Sequence, residues 1–236
     1  PMVDLNPSLS WHTSALGSKV LMDHLIKNKV KKIIYASSGS VYGIKKEKKV
    51  TENLTLKPIS TYNKVKMTTE RIILSYKNDI NVIILRPATV CGYAPRMRLD
   101  LTVNMLTFQA LKNKKITVFG GKQKRPNIHI DDLIKAYLFF LNRKDLIFGI
   151  YNIGFENLSI LQIARKISKK IKTQIIIKKQ LKDLRSYNLD SSKLLRTGYR
   201  PEKKIHDAIT ELKALYEKGI LVDRPNYYSI KWLKNR

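Results

Sequence analysis

Tyr62 and Lys66 stand four residues apart in a segment where Val65, Thr69, Ile72, Ile73 and Tyr76 fall on one helical face. On a helix at that spacing the phenol and the ammonium project from the same side. A phenol with an ordinary pKa of about 10 is a poor base at neutral pH. A positive charge beside it favours the phenolate and lowers that pKa, which makes Tyr62 a candidate general base and acid for a hydroxyl. The spacing alone is common on solvated helix faces, so its weight comes from what surrounds it. Upstream runs Tyr35-Ala36-Ser37-Ser38-Gly39-Ser40-Val41-Tyr42-Gly43, an apolar strand that stops in a turn of small residues. Downstream runs Leu85-Arg86-Pro87-Ala88-Thr89-Val90, the end of a second apolar run. Ligands of open α/β sheets sit outside such strand ends.

The elements that must position these residues alternate along the chain, which argues for an α/β fold with a parallel sheet. Leu16, Val20, Leu21 and Leu25 recur at helical spacing and predict a helix ending near Asn28. Short apolar runs at 33–36 and 82–85 read as buried parallel strands. Ser60 is a plausible N-cap for the helix that carries Tyr62. Further on, the pattern predicts helices over 102–111 and from Asp131-Asp132 to about Leu141, with strands at 116–119 and 151–154. Ser159 and Gln162 have the spacing of a capping box for a helix through Ile171. A strand at 175–177 and a helix over 205–218 complete the reading.

Together the serine-rich strand end, the Tyr-x-x-x-Lys helix and the Arg-Pro strand end resemble the extended short-chain dehydrogenase/reductase family. The resemblance is to its NAD-dependent nucleotide-sugar epimerases and dehydratases, UDP-glucose 4-epimerase among them, and it extends over nearly the whole chain. Leu16-Gly17-Ser18 and the helix after it match the family's Asn-x-x-Gly-Thr helix, with Ser14 where Asn is usual. The resemblance implies a catalytic triad of Ser38, Tyr62 and Lys66, with Ser38 hydrogen-bonding the reacting sugar hydroxyl or ketone. It implies cofactor contacts from Tyr62, Lys66, Pro87, Ala88, Thr89 and Val90, where Lys66 holds ribose hydroxyls and the positive nicotinamide ring helps to lower the pKa of Tyr62. Ser40 and Asn104 are implied substrate contacts. The segment Lys124-Arg125-Pro126-Asn127-Ile128-His129-Ile130-Asp131-Asp132 resembles the family's Arg-x-Tyr-Ile-His-Val-x-Asp, which assigns Arg125 to the diphosphate. Arg185 receives the same role from the C-terminal segment, and His129 is read as structural. Arg96 and Arg98 either face the sugar and its phosphates or belong to a solvated loop.

Dehydratases of the family carry Asp-Glu directly after the triad threonine, and here those positions are Gly39 and Ser40. Neither can perform acid–base chemistry across a carbon–oxygen bond. The expectation is therefore an epimerase working through a transient keto sugar, or a dehydrogenase that stops at the ketone. NAD is the expected cofactor, with NADP not excluded. A non-catalytic Rossmann-like binding protein is the reading from another class.

Composition sets limits on the rest. The 236 residues carry a net charge of +28, are 43% hydrophobic and have a mean hydropathy of −0.27. The lysines are scattered between apolar positions, at 27–32, 45–49 and 166–179, without a zinc-finger, helix-turn-helix or RNP-like pattern. Nucleic acid is not an expected partner. No apolar run approaches the roughly 18 residues that span a bilayer, so a membrane is not expected either. One cysteine, Cys91, forbids an internal disulfide and suits a reducing cytoplasm. Four widely spaced histidines give no support to a metal site.

The family opens with a Gly-x-x-Gly-x-x-Gly turn that brings a helix N-terminus to the pyrophosphate, and the chain has no such cluster. The expectation drawn from this is a Rossmann-like parallel sheet with its first half missing, followed by a smaller C-terminal α/β substrate-binding domain. Residues 1–95 would be a partial NAD-binding domain with the catalytic residues. Residues 96–236 would mainly bind the nucleotide sugar, with about 115–150 returning to the Rossmann sheet. Such a fragment would bind NAD poorly and be inactive alone, while the full-length protein would be a homodimer.

Overall fold

A computed structural model describes residues 2–145, 148–179 and 186–229. The chain enters through short helices α1 (Met2–Leu5) and α2 (Pro7–Trp11), a π-helical turn (His12–Leu16) and α3 (Gly17–Lys27). Then follow β1 (Lys32–Ala36), a 3-10 turn (Gly39–Tyr42), α4 (Thr61–Ser75), β2 (Asn81–Pro87) and β3 (Thr89–Cys91). The middle of the chain makes α5 (Thr102–Asn113), β4 (Lys115–Phe119), β5 (Lys124–His129) and α6 (Ile130–Asn142). It ends with β6 (Gly149–Ile153), β7 (Glu156–Ser159), α7 (Ile160–Ile171), β8 (Gln174–Lys178), α8 (Ser192–Arg196) and α9 (Ile205–Glu217).

Strands β1, β2 and β6 pair in parallel in that order, with Ala36 opposite Leu85 and Leu85 opposite Tyr151. This corrects the expectation of a parallel sheet whose first half is missing. A continuous parallel sheet is present, beginning in the N-terminal region at Lys32 and running to Ile153. The expectation leaned on the missing glycine-rich turn. A parallel ladder needs instead buried apolar strands and crossovers long enough to return. Val82, Ile83, Ile84 and Leu85 are all buried, and α4 supplies the crossover from β1 to β2. Of the segment about 115–150, α6 packs on β1 and Gly149 opens β6, whereas β4 and β5 belong to other sheets.

Beyond this sheet lie two smaller ones. Strand β5 pairs in parallel with β3 and antiparallel with β7, and β4 pairs in parallel with β8. Helices α5, α7 and α9 close over them through Leu106, Ile163, Ile167 and Ile209. The capping box of α7 is formed by Ser159 and Gln162 as the spacing predicts. Cys91 is fully buried in this second layer, and burial pushes its thiol up to about 12.

Helix α3 ends at Lys27 with Asn28 as its C-cap, near where the periodicity places its end. The apolar residues that periodicity groups together, Leu16, Val20 and Leu21, are nevertheless more than half exposed, and Met22 is the residue that α3 buries. Among the described residues no helix is long and apolar enough to cross a membrane.

Candidate active site

The end of β1 and the start of α4 are brought together by two capping interactions. Ser38 N-caps the 3-10 turn, its Oγ accepting from Ser40 N at 3.2 Å. Gly43 closes the turn at φ +72° and ψ −135°, where a Cβ would lie 2.0 Å from the Lys57 carbonyl oxygen, so this position takes glycine alone. On the facing element Ser60 N-caps α4 by accepting from Asn63 N at 3.3 Å. Tyr62 therefore sits in the first turn of α4, where the Ser38 hydroxyl acts to lower its pKa.

Lys66 lies one turn further along the same face. Its Nζ donates to the Ala36 carbonyl at 2.7 Å and stands 5.0 Å from the centre of the Tyr35 ring and 5.9 Å from that of Tyr62. Ser38, Tyr62 and Lys66 thus meet at the C-terminal end of β1, the position that an open parallel sheet offers to a ligand. Burial raises the pKa of Tyr62 above its ordinary value, against the opposing pull of the Ser38 hydroxyl and the charge of Arg98. Burial also pulls Lys66 below the usual lysine range, while the charge of Glu70 resists that fall. The charge of Arg98, on the loop before α5, also favours the Tyr62 phenolate, and Asp100 holds Arg98 through contacts of 2.6 and 3.2 Å.

Behind these groups lies a polar network that sequence reasoning missed. Arg86 is 2% exposed and pairs with Glu70 through Nε–Oε1 at 3.0 Å and Nη2–Oε2 at 2.6 Å. Its Nη1 donates to Tyr42 Oη at 2.8 Å, and Tyr42 donates in turn to Asn152 Oδ1 at 2.8 Å. Ser37 donates to the same Glu70 carboxylate. The apolar run stops at Leu85 in the sequence, but β2 runs on through Pro87, with Arg86 opposite Asn152. A signal was available: an arginine continuing a buried apolar strand requires a carboxylate partner, and Glu70 repeats the four-residue spacing of Tyr62 and Lys66.

The remaining predicted site residues fall in two groups. Pro87, at the end of β2, lies beside the serine turn, close enough that a Cβ on Gly39 would stand 3.2 Å from its carbonyl oxygen, while Ala88 links β2 to β3 and Thr89 and Val90 lie on β3. Ser40 lies against α4, its hydroxyl donating to Asn63 Oδ1 at 2.6 Å. Asn104 is instead a backbone clamp: Oδ1 accepts from Gly92 N at 3.1 Å, while Nδ2 donates to the carbonyls of Gly92 and Arg98 at 3.4 and 3.2 Å. Arg125 is buried on β5, where Nη1 donates to the Lys124 carbonyl at 3.0 Å. Arg185 lies outside the described residues. His129 caps α6 by accepting from Asp131 N at 3.2 Å.

The donor set at Lys66 fits the nicotinamide ribose of a dinucleotide. Of the three N–H groups of an ammonium, one is committed to Ala36 among the described residues, which leaves two for a pair of hydroxyls.

Residues 4–154 match the model of the NAD dependent epimerase/dehydratase family. An uncharacterised UDP-glucose epimerase of Bacillus subtilis, YtcB, is 36% identical over 151 residues, covering 62% of this chain and 47% of that protein. A dTDP-D-glucose 4,6-dehydratase of Dictyostelium discoideum is 31% identical over 64% of this chain and 38% of its own length, so the chain spans less than half of either relative. The UDP-glucuronic acid 4-epimerase of Bacillus cereus, solved with UDP-glucuronic acid and NAD, is 31% identical and superposes with a TM-score of 0.76, covering 89% of this chain and 69% of that one. The UDP-glucose 4-epimerase of Thermotoga maritima, solved with UDP-glucose, is 25% identical with a TM-score of 0.80, covering 93% and 74%. The chain belongs to the NAD dependent epimerase/dehydratase family.

Proposed function

We propose that this chain carries the catalytic residues of an NAD-dependent nucleotide-sugar epimerase that works through a transient keto sugar. The observation that carries the reading is the meeting of Tyr62, Ser38 and Lys66 at the end of β1. NAD, when bound, supplies a hydride acceptor that later returns the hydride. Tyr62 Oη takes the proton of the sugar hydroxyl and gives it back. Ser38 hydrogen-bonds the same sugar oxygen, and Lys66 holds ribose hydroxyls. Arg98 favours the phenolate form that the first proton transfer needs. Arg125 and Arg185 are assigned to the diphosphate on the resemblance of their segments.

Epimerases and dehydratases both figure among the relatives, and the choice between them rests on this chain's own residues. Water loss needs an acid and a base next to the triad hydroxyl. Gly39 has no side chain, and the Ser40 proton is committed to Asn63. The test is to incubate the chain with NAD and, separately, UDP-glucose, UDP-glucuronic acid and dTDP-glucose. The expected result is an epimerised sugar with no net NADH. Steady NADH accumulation would make it a dehydrogenase, and a deoxy keto product would overturn the exclusion of dehydration.

A homodimer and a reducing, cytoplasmic setting belong to the same reading. The exposed Leu16, Val20 and Leu21 lie beside α4 and offer an apolar surface for a second copy. Light scattering on the purified chain is expected to give twice the monomer mass, and a monomer at micromolar concentration would remove the dimer.

A further inference from the structure

Two consecutive residues of β1 meet Lys66. The Ala36 carbonyl accepts from its Nζ at 2.7 Å, and the centre of the Tyr35 ring stands 5.0 Å from the same nitrogen. The Tyr62 ring, at 5.9 Å, is further away. The face of an aromatic ring carries partial negative charge and attracts a cation within about 6 Å. At 5.0 Å the ring meets the charge as a whole and takes up none of the N–H groups that the ammonium offers to a ligand. The ring is itself held in place. Tyr35 lies opposite Ile84 in the ladder and packs, half-buried, against the buried cluster of Met22, Ile73, Ile80, Val82 and Ile84. Burial pushes its phenol up to about 12, so at neutral pH it keeps its proton and presents an uncharged ring.

We propose that Tyr35 is a positioning residue whose ring face, together with the Ala36 carbonyl, holds the Lys66 ammonium at the end of β1. A single hydrogen bond to Ala36 leaves a long, flexible side chain free to swing about its acceptor. The ring adds a second restraint from another direction and acts on the charged form alone. It therefore works against burial, which favours the neutral amine and pulls Lys66 below the usual lysine range. A charged Lys66 keeps two N–H groups beyond the one given to Ala36, and a neutral amine keeps one, so the restraint and the charge serve the same pair of ribose hydroxyls. The other titratable and charged groups around Lys66 come from three elements. Tyr62 and Glu70 belong to α4, and the charge of Glu70 also resists the fall in the Lys66 pKa. Arg86 from β2 and Ser37 from the serine turn are both engaged on Glu70. Arg98, on the loop before α5, acts on Tyr62.

This role rests on Lys66 being the group that holds the cofactor ribose, yet its first readout needs neither cofactor nor substrate. The chain is made with lysine carrying carbon-13 at Cε, and the Lys66 signal is the one missing from Lys66→Arg. In the unaltered chain the Lys66 ε protons are expected upfield of those of ordinary lysines, the ring-current mark of protons over an aromatic face. Tyr35→Phe keeps the ring and is expected to keep that displacement. Tyr35→Leu is expected to abolish it and to move Lys66 ionisation down by about half to one pH unit, with Tyr35→Phe close to the unaltered chain. Calorimetric titration with NAD reads the consequence: Tyr35→Leu is expected to bind it about three- to tenfold more weakly, and Tyr35→Phe to bind it normally. A Lys66 signal in the unaltered chain without upfield displacement overturns the assignment, and needs no variant to fold. Unchanged or raised ionisation in Tyr35→Leu overturns it as well. A fall in ionisation that Tyr35→Phe reverses, in a chain that binds no NAD, upholds the placement of Lys66 by Tyr35 and leaves its cofactor role as the part that failed.

Discussion

Tyr62→Phe is expected to lower nucleotide-sugar turnover by about 10²–10⁴-fold, the range of a lost acid–base group, while substrate binding and the unfolding midpoint stay close to those of the unaltered chain. The ring of Tyr62 packs in the first turn of α4, and phenylalanine fills the same space. What disappears is one oxygen near Ser38. Even a hydrogen bond at that oxygen would be worth about 1 kcal/mol of stability, so folding tolerates its loss. The chemistry does not, because no other side chain stands in its place: Lys66 is directed to the Ala36 carbonyl and Ser38 is engaged with Ser40. Parallel calorimetric titration with a UDP-sugar and steady-state assays separate the two effects. Near-normal turnover by Tyr62→Phe would remove Tyr62 from the mechanism.

The second large effect is on stability. Glu70 and Arg86 face each other with side chains 2% and 3% exposed, so each charge depends on the other in a region closed to water. Glu70→Leu leaves the guanidinium buried with Tyr42 and the Glu52 carbonyl as its remaining hydrogen-bond partners among the described residues, and is expected to cost about 3–5 kcal/mol. Arg86→Met strands the carboxylate with Ser37 and is expected to cost a similar amount. The double variant removes both charges together. Tyr42 still donates to Asn152, and the loss should fall below the sum of the single losses by about 2–3 kcal/mol. Urea unfolding of the four proteins measures this coupling, and additive losses would show that the pair is not a stabilising unit. The network touches the serine turn at Ser37, α4 at Glu70, β2 at Arg86 and β6 at Asn152, so catalysis is expected to weaken with it.

The grouping of Tyr62, Lys66 and Ser38 was legible because each part is local. Tyr62 and Lys66 follow from one helical turn, and Ser38 from where a short apolar strand stops. The α/β alternation followed from periodicity for the same reason. What could not be read depends on register between distant segments. Nothing in the neighbourhood of Glu70 names Arg86 as its partner; that is decided when α4 crosses from β1 to β2. Asn104, on an amphipathic helix, looks like a group that meets a ligand, but the loop at Gly92 and Arg98 folds back and occupies its amide. Leu16, Val20 and Leu21 show that spacing defines a helical face without saying what covers it. The expectation of a half-absent sheet failed because a loop motif was used to judge strands, although strands form from their own apolar residues.

Cys91 gives the second layer a property that the three-stranded sheet of β1, β2 and β6 lacks. A thiol reacts as its thiolate and only where a reagent can reach it. With its pKa pushed up to about 12 and no exposed surface, the closed protein meets neither condition. Every alkylation event at this sulfur therefore marks one excursion of the layer formed by β3, α5, α7 and α9 away from its closed state. Because the chain has one cysteine, the mass added over time reads as a clock for that layer, kept without a label and silent about the end of β1 where Tyr62 sits.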